Sequence, residues 1–242
     1  MTYALIVGVV AFFAGAISAV AGLGIGSILT PLLGLAIGVK LAVAAAALPH
    51  FAGNALRLWT LRHRIDGQVL KTFGLMSAAG SLIGALIHAR SGAGPLKIAM
   101  AVILIIAGVL GVFGWMEKLR VGRNGAAIAG GASGFLGALV GFQGGLRAAA
   151  MLALDVRKEA FVATAVALAV IVDGARLPVY AWSVGREMSA IWPILLAATV
   201  GVALGTFAGK RLFTGIPEAI FRRFVSALLI ALGVAILSVR SG

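Results

Sequence analysis

The pattern of apolar and polar positions divides the chain into long apolar runs separated by short polar segments. A hydrocarbon core about 30 Å thick is crossed by about 20 apolar residues of α-helix. Each long run therefore predicts one membrane-spanning helix. The long runs are residues 3–21, 41–59, 73–89, 98–115, 126–142, 160–182, 190–208 and 225–239.

Two shorter apolar segments, residues 27–38 and 146–154, each follow a glycine cluster. Glycine tolerates the dihedral angles of a helix break. Irregular backbone at membrane depth occurs only where it is buried in protein or lines a watery cavity. We therefore predict two half-helices that are broken or re-entrant; the alternative is close helix packing through small residues. The clusters contain Gly22, Gly24 and Gly26 before the first segment and Gly141, Gly144 and Gly145 before the second.

The composition excludes an ordinary soluble domain. Hydrophobic residues make up 62% of the chain and charged residues only 11%, whereas soluble domains carry about 25% charged residues. The net charge of +13 comes from basic residues scattered between apolar runs, without the continuous patch of a nucleic-acid surface. The absence of cysteine excludes disulfides and thiolate metal sites. The first run lacks the features of a cleaved signal and is expected to be a retained span.

The chain resembles itself at an offset of 119 residues. Matches among small apolar residues are expected by chance in a sequence rich in Ala, Gly, Leu and Val. Two polar residues three positions apart that both match polar residues at the same offset are not expected by chance. We therefore predict two repeats, residues 1–118 and 119–242, that together form one domain. The pairs include Gly22 with Gly141, Gly26 with Gly145, Asn54 with Asp173 and Arg57 with Arg176.

The basic residues outside the spans favour one membrane orientation. If each half crosses the bilayer an odd number of times, the halves are inverted relative to each other. One side then holds 12 basic residues and the other 5; with one broken span per half, they would divide almost evenly. Because Lys and Arg accumulate in cytoplasmic loops, we predict inverted repeats in a bacterial inner membrane with both termini outside the cytoplasm. The larger set is Arg62, Arg64, Lys71, Lys118, Arg120, Arg123, Arg157, Lys158, Lys210, Arg211, Arg222 and Arg223, and the smaller is Lys40, Arg90, Lys97, Arg186 and Arg240.

Ionisable residues inside the spans are candidate binding positions, because a charge in the membrane is costly and usually serves a substrate path or a proton relay. Three arginines qualify, and two of them belong to polar stripes in which helical spacing places the residues on one face. The arginines are Arg57, Arg147 and Arg176; the stripes are His50 with Asn54 and Arg57, and Asp173 with Arg176 and Tyr180.

Each of these residues also has a purely structural interpretation. Arg57 lies near the end of its run, where its side chain can extend to the membrane surface. Asp173 and Arg176 can form an i, i+3 ion pair that stabilises only their own helix. His50 can be a hydrogen-bonded core residue, although its titration range also suits a proton carrier. His63 and His88 lie near predicted loops, and no spacing of His, Asp and Glu predicts a metal site.

Arg147 carries the strongest indication of a ligand. It lies at the start of the second half-helix, where the positive end of the helix dipole disfavours a cation and favours an anion. The positive charge of Arg147 and the positive end of the helix dipole repel each other unless an anion lies between them. We therefore expect an anionic substrate between the two half-helices.

The two glycine clusters, the half-helices, the Pro31-Leu32-Leu33 segment and the duplicated layout resemble the TauE/SafE family of sulfite exporters, also called the toluene sulfonate uptake permease family. The resemblance spans essentially the whole chain. It implies a secondary carrier for sulfite, sulfonates or related organic anions, with export as the expected direction. The resemblance implies a glycine-rich turn followed by a proline in each half. The first half has Pro31, but the second half has Ala150 at the equivalent position and Arg147 shortly after its glycines.

The combined prediction is an all-α, polytopic membrane protein of two inverted repeats that moves a small anion by alternating access at a midplane site. An anion channel is the alternative within transport, and an accessory membrane subunit is a third interpretation. An enzyme is not expected, because the sequence offers no nucleophile with its base and no metal centre.

The predicted site contains no catalytic residue, metal ligand or cofactor. The expected partners are a small anionic substrate and the lipid bilayer, with a coupling proton and a second copy of the chain as further candidates, but not nucleic acid. The predicted substrate-binding residues are Gly22, Gly24, Gly26, Asn54, Arg57, Gln143, Gly144, Gly145, Arg147 and Arg176, and the proton-coupling candidates are Asp173 and His50.

Overall fold

The computed structural model describes residues 2–21, 25–114, 123–152, 154, 156, 158–212 and 218–239. Within these ranges the chain forms ten α-helices, and a short 3-10 turn at Arg62–Arg64 follows the third. In chain order the helices are α1 (Thr2–Ala21), α2 (Gly26–Ile37), α3 (Val39–Leu61), α4 (Gly67–Arg90), α5 (Ala93–Val112), α6 (Arg123–Val140), α7 (Gly144–Leu152), α8 (Lys158–Ala190), α9 (Trp192–Leu212) and α10 (Glu218–Ser238).

The predicted fold class, an all-α membrane protein, is confirmed. Almost all described residues are helical, and those residues form no strand. Five helices of the described part are long and apolar enough to cross a bilayer. Large apolar side chains such as Leu75 and Trp182 are exposed on the outside of the bundle, as expected where a protein faces lipid. The five helices are Val39–Arg64, Gly67–Arg90, Ala93–Val112, Ala160–Ala190 and Trp192–Gly209.

The two predicted half-helices are present as α2, with 12 residues, and α7, with 9 residues. Glycine provides the conformations at their boundaries. Gly38, which separates α2 from α3, has φ 79°, and Gly141, which ends α6 shortly before α7, has φ 80°. These dihedral angles suit a residue without a Cβ. Gly22 and Gly24 lie outside the described residues.

Helices α4 and α6 run in the same direction. Near the middle of α4, Ser77 Oγ donates a hydrogen bond to Gly130 O at 3.0 Å. Near its end, His88 Nδ1 lies 2.9 Å from Leu139 O. Residue numbers therefore rise together along the two helices, which makes them parallel.

Helix α8 is parallel to α4 as well. Asp66 N donates to Thr164 Oγ1 at 2.9 Å, and Ser81 Oγ donates to Val172 O at 2.8 Å. Since α6 and α8 both run with α4, the segment between them, which contains α7, must return the chain to the side where α6 began. The inverted relation of the two halves stays a prediction.

Glycines let pairs of helices approach backbone to backbone. A Cβ added at Gly15 of α1 would lie 2.6 Å from Val202 O of α9, closer than real Cβ atoms come to any oxygen. Small residues at such crossings are typical of membrane helices, where close approach provides the packing energy. The same close approach recurs where Gly201, Gly205 and Gly209 of α9 face Gly8, Phe12 and Ala16 of α1, and where Gly80 and Gly84 of α4 face Gly131 and Phe135 of α6.

We expect Gly205→Ala to lower the melting temperature of the detergent-solubilised protein. The new methyl group would meet the Phe12 carbonyl oxygen, and overpacking of this kind costs about 1 to 3 kcal/mol. Gly174→Ala is the control, because Gly174 is also helical but a Cβ there would meet nothing within 4 Å. Equal melting temperatures for the two variants would show that the α1 and α9 crossing does not depend on the glycine.

Candidate functional site

A buried ion pair joins α3 to α8. His50 Nδ1 lies 2.5 Å from Asp173 Oδ2, and Arg176 Nη2 lies 2.7 Å from Asp173 Oδ1. The three side chains are at most 2% exposed. The i, i+3 ion pair expected from the sequence is therefore present, but it also holds a histidine from the other half of the chain.

Arg176 and Tyr180 attach this cluster to α6. The Arg176 guanidinium donates through Nε to Asp173 Oδ1 at 3.0 Å and through Nη1 to Gly137 O. One turn further along α8, the Tyr180 hydroxyl donates to Ala138 O. Arg176 thus links α8 to α6 directly and reaches α3 only through Asp173 and His50, and its Nε, Nη1 and Nη2 all contact protein groups.

Asn54 is satisfied within α3. Its Nδ2 donates to His50 O at 2.8 Å, one turn back along the helix. Both residues are buried, and His50 also contacts Asp173 of α8. Their predicted proximity on one helical face is confirmed; a role for Asn54 in binding substrate stays a prediction.

The two glycine breaks meet in space. A Cβ built on Gly26, at the start of α2, would lie 2.9 Å from Gly141 O, just before α7. A Cβ on Gly141 would meet the Thr30 side chain at 2.7 Å. The beginning of α2 therefore packs directly on the break between α6 and α7.

Gln143 immediately precedes α7, and Arg147 lies in its first turn. The Gln143 carbonyl oxygen accepts hydrogen bonds from Ser133 Oγ at 2.9 Å and from Arg147 N at 3.2 Å. The Gln143 side chain packs against Gly137, where an added Cβ would lie 2.9 Å from Oε1. Since Gly137 also accepts from Arg176, the start of α7 adjoins the ion-pair cluster.

Three side chains at this place have polar atoms for which no described residue supplies a hydrogen-bond partner. These atoms are His50 Nε2, both Gln143 Nε2 and Oε1, and Arg147 Nη1. The side chains are 1%, 2% and 6% exposed, respectively. Buried polar groups are nearly always hydrogen-bonded, and an exception requires an explanation such as a ligand or a bound water.

The cluster is electropositive. Arg147 and Arg176 contribute two positive charges and Asp173 one negative charge, which leaves a net positive charge when His50 is neutral. Arg147 lies within electrostatic range of Asp173, Arg176 and Arg57, but the Asp173 carboxylate bonds to His50 and Arg176 instead. A buried guanidinium at a helix N-terminus is favoured only with an anion beside it.

The structure does not bring every predicted residue into this cluster. Arg57 lies two turns beyond His50 on α3 and is half-buried. Its charge acts on Arg147, but its side chain makes no described hydrogen bond to the residues of the cluster. Gly144 and Gly145 form the first residues of α7. The binding roles of these residues stay predictions.

His88 lies near a loop, as expected, two residues before the end of α4, and it is completely buried. Its Nδ1 lies 2.9 Å from Leu139 O and its Nε2 lies 3.1 Å from Lys40 O, and its ring meets Tyr180 edge-on at 5.3 Å. A neutral imidazole can donate to only one of these carbonyls. His88 therefore bonds α4 either to the start of α3 or to the end of α6 and packs against the other, a role that its position near the end of a run did not indicate.

Thr30 and Ser133 also belong to the site and were not predicted. Thr30 packs on the glycine break, and Ser133 bonds the Gln143 carbonyl. A polar residue inside an apolar run was the available signal, but hydroxyl groups are common in membrane helices because they bond to their own backbone.

No group of three or more His, Cys, Asp or Glu residues suited to a metal ion occurs in the described part of the chain. Comparison with curated proteins and with solved structures finds no match for the chain. A model of the family described as sulfite exporter TauE/SafE matches residues 7–236 of the 242. This is a family of membrane transporters. With its helical spans and a match over almost its whole length, the chain is a multi-pass membrane protein that belongs to the sulfite exporter TauE/SafE family.

Proposed function

We propose that the protein is a secondary transporter of small oxyanions such as sulfite or sulfonates, with its substrate site at the start of α7. The observation that carries the proposal is the buried Arg147, whose Nη1 has no hydrogen-bond partner among the described residues. Burying a cation without a partner is costly. An anionic substrate would offset that cost when it binds.

The arrangement of the two glycine breaks supports transport by alternating access. Gly26 and Gly141 are in contact, so the start of one half-helix lies against the break that precedes the other. Substrate sites of many carriers lie where broken helices of two repeats meet near the middle of the membrane. The proposal places the protein in a bacterial inner membrane with both termini outside, in keeping with the distribution of basic residues.

A proton is the proposed coupling ion, and His50 with Asp173 is the place where it would bind. The Asp173 carboxylate faces Arg176 and therefore accepts the hydrogen of His50 Nδ1. Nε2 is then the free position of the ring, and it has no described protein partner. Protonation at Nε2 would raise the positive charge of the site as the anion enters.

Proteoliposomes containing the purified protein should take up labelled sulfite with saturable kinetics. Unlabelled sulfite inside the vesicles should accelerate the entry of labelled sulfite, because a carrier returns loaded faster than empty. Vesicles with Arg147→Gln protein serve as the matched control and should show little uptake. Flux that neither saturates nor responds to internal sulfite would favour the channel alternative, and no flux above empty vesicles would contradict the proposal.

A further inference from the structure

The hydrogen-bonding groups at the start of α7 are of both kinds. Arg147 Nη1 can only donate. The Gln143 amide offers a donating nitrogen and an accepting oxygen, and neither has a partner among the described residues. This holds whichever way the amide is oriented, since both of its ends lack a partner.

His50 adds a second acceptor. Its Nδ1 is turned toward the Asp173 carboxylate at 2.5 Å, and an ionised carboxylate can only accept. The hydrogen of a neutral imidazole therefore lies on Nδ1, and the lone pair lies on Nε2. That atom is buried and has no hydrogen-bond partner in the described part of the protein.

A bare oxyanion cannot satisfy this set. Its oxygens accept hydrogen bonds from Arg147 and from the Gln143 nitrogen, but they have nothing to donate to Gln143 Oε1 in any state of the site, or to His50 Nε2 while that ring is neutral. A buried acceptor left unpaired costs free energy on every binding event. Only a ligand that carries a hydrogen on oxygen or nitrogen pairs with both kinds of group.

We propose that the site selects an anion that brings its own hydrogen-bond donor, such as a hydroxy- or amino-substituted sulfonate or a protonated oxyanion, and that Gln143 reads this donor. The inference rests on the proposed function, because it uses the same anion site. Gln143 suits the task because its backbone is fixed through the bonds from Ser133 Oγ and Arg147 N. Its side chain packs against Gly137, next to the carbonyl that Arg176 holds.

The test compares anions that differ by one hydroxyl group. Isethionate should bind about 10- to 100-fold more tightly than ethanesulfonate, and lactate more tightly than propionate, as measured by calorimetry on the full-length protein in detergent. In Gln143→Met, whose side chain has similar length but no hydrogen-bonding amide, the preference for isethionate should fall below about 3-fold. Because the Gln143 side chain makes no described hydrogen bond to protein, the variant is expected to fold.

The outcomes separate this inference from the proposed function. Equal binding of the hydroxylated and plain anions would overturn the inference, and would indicate that bound water pairs with the acceptors, while sulfite flux would still support transport. A preference that survives in Gln143→Met would overturn the role of Gln143. If none of the four anions binds, the inference fails, and the flux experiment alone decides the proposed function. The wild-type comparison stands if Gln143→Met does not fold.

Discussion

Asp173→Asn should lower the free energy of unfolding by about 3 to 5 kcal/mol, the usual cost of breaking a buried ion pair by removing one partner. Asp173 is fully buried, and its two oxygens bond to His50 and Arg176. It is also the one negative group among the described residues that act electrostatically on Arg147. Asparagine would leave two buried guanidinium groups with no anion of the cluster to balance them.

Asp66→Asn is the matched control for this prediction. Asp66 caps the N-terminus of α4, where its Oδ1 accepts from Gln68 N at 3.0 Å and from Val69 N at 3.1 Å. Asparagine caps a helix about as well as aspartate. The same chemical change should therefore leave the melting temperature almost unaltered at position 66 and lower it strongly at position 173.

The double variant Asp173→Asn/Arg176→Gln tests whether the loss is electrostatic. Removing both members of a buried pair costs less than removing one, because no charge is left unpaired. We expect the double variant to recover part of the stability lost in Asp173→Asn. A double variant less stable than the single would instead assign the main role to the Arg176 bond with Gly137 O. A melting temperature of Asp173→Asn equal to that of Asp66→Asn would contradict the prediction outright.

The sequence predicts those parts of the fold that depend on local spacing. The apolar runs indicate the long helices because the bilayer fixes their length. The glycine clusters indicate the two half-helices, since few other residues permit φ near +80° as at Gly141. The i, i+3 spacing of Asp173 and Arg176 predicts their ion pair, which is present at 2.7 Å.

The sequence does not predict which helical faces meet. His50 and Asp173 lie 123 positions apart, and periodicity shows only that each lies on a polar face. For the same reason the sequence does not predict the burial of His88. Its partners are the backbone oxygens of Leu139 and Lys40 on two other helices, and the pattern of side chains gives no information about backbone contacts. Unpaired atoms such as those of Gln143 can be recognised only once every neighbour is known.

Arg147→Gln should weaken substrate binding roughly 10- to 150-fold, because a charge-assisted hydrogen bond contributes about 1.5 to 3 kcal/mol. Asp173, the anion that could have neutralised Arg147 inside the protein, is hydrogen-bonded to His50 and Arg176. Arg147→Lys should recover only part of the affinity, since an ammonium keeps the charge but lacks the planar fork that fits two oxyanion oxygens.

Stability measured without substrate separates this role from a structural one. If the substrate supplies the missing anion, Arg147 is an uncompensated buried cation in the empty protein, and Arg147→Gln should leave the melting temperature unchanged or raise it. If Asp173 already compensates Arg147 through their electrostatic interaction, the same substitution should lower the melting temperature and leave the affinity of the folded protein intact. Arg186→Gln, at an exposed position, serves as the control and should change neither quantity. A folded Arg147→Gln protein that binds sulfite as tightly as the wild type would rule out contact between this guanidinium and the substrate.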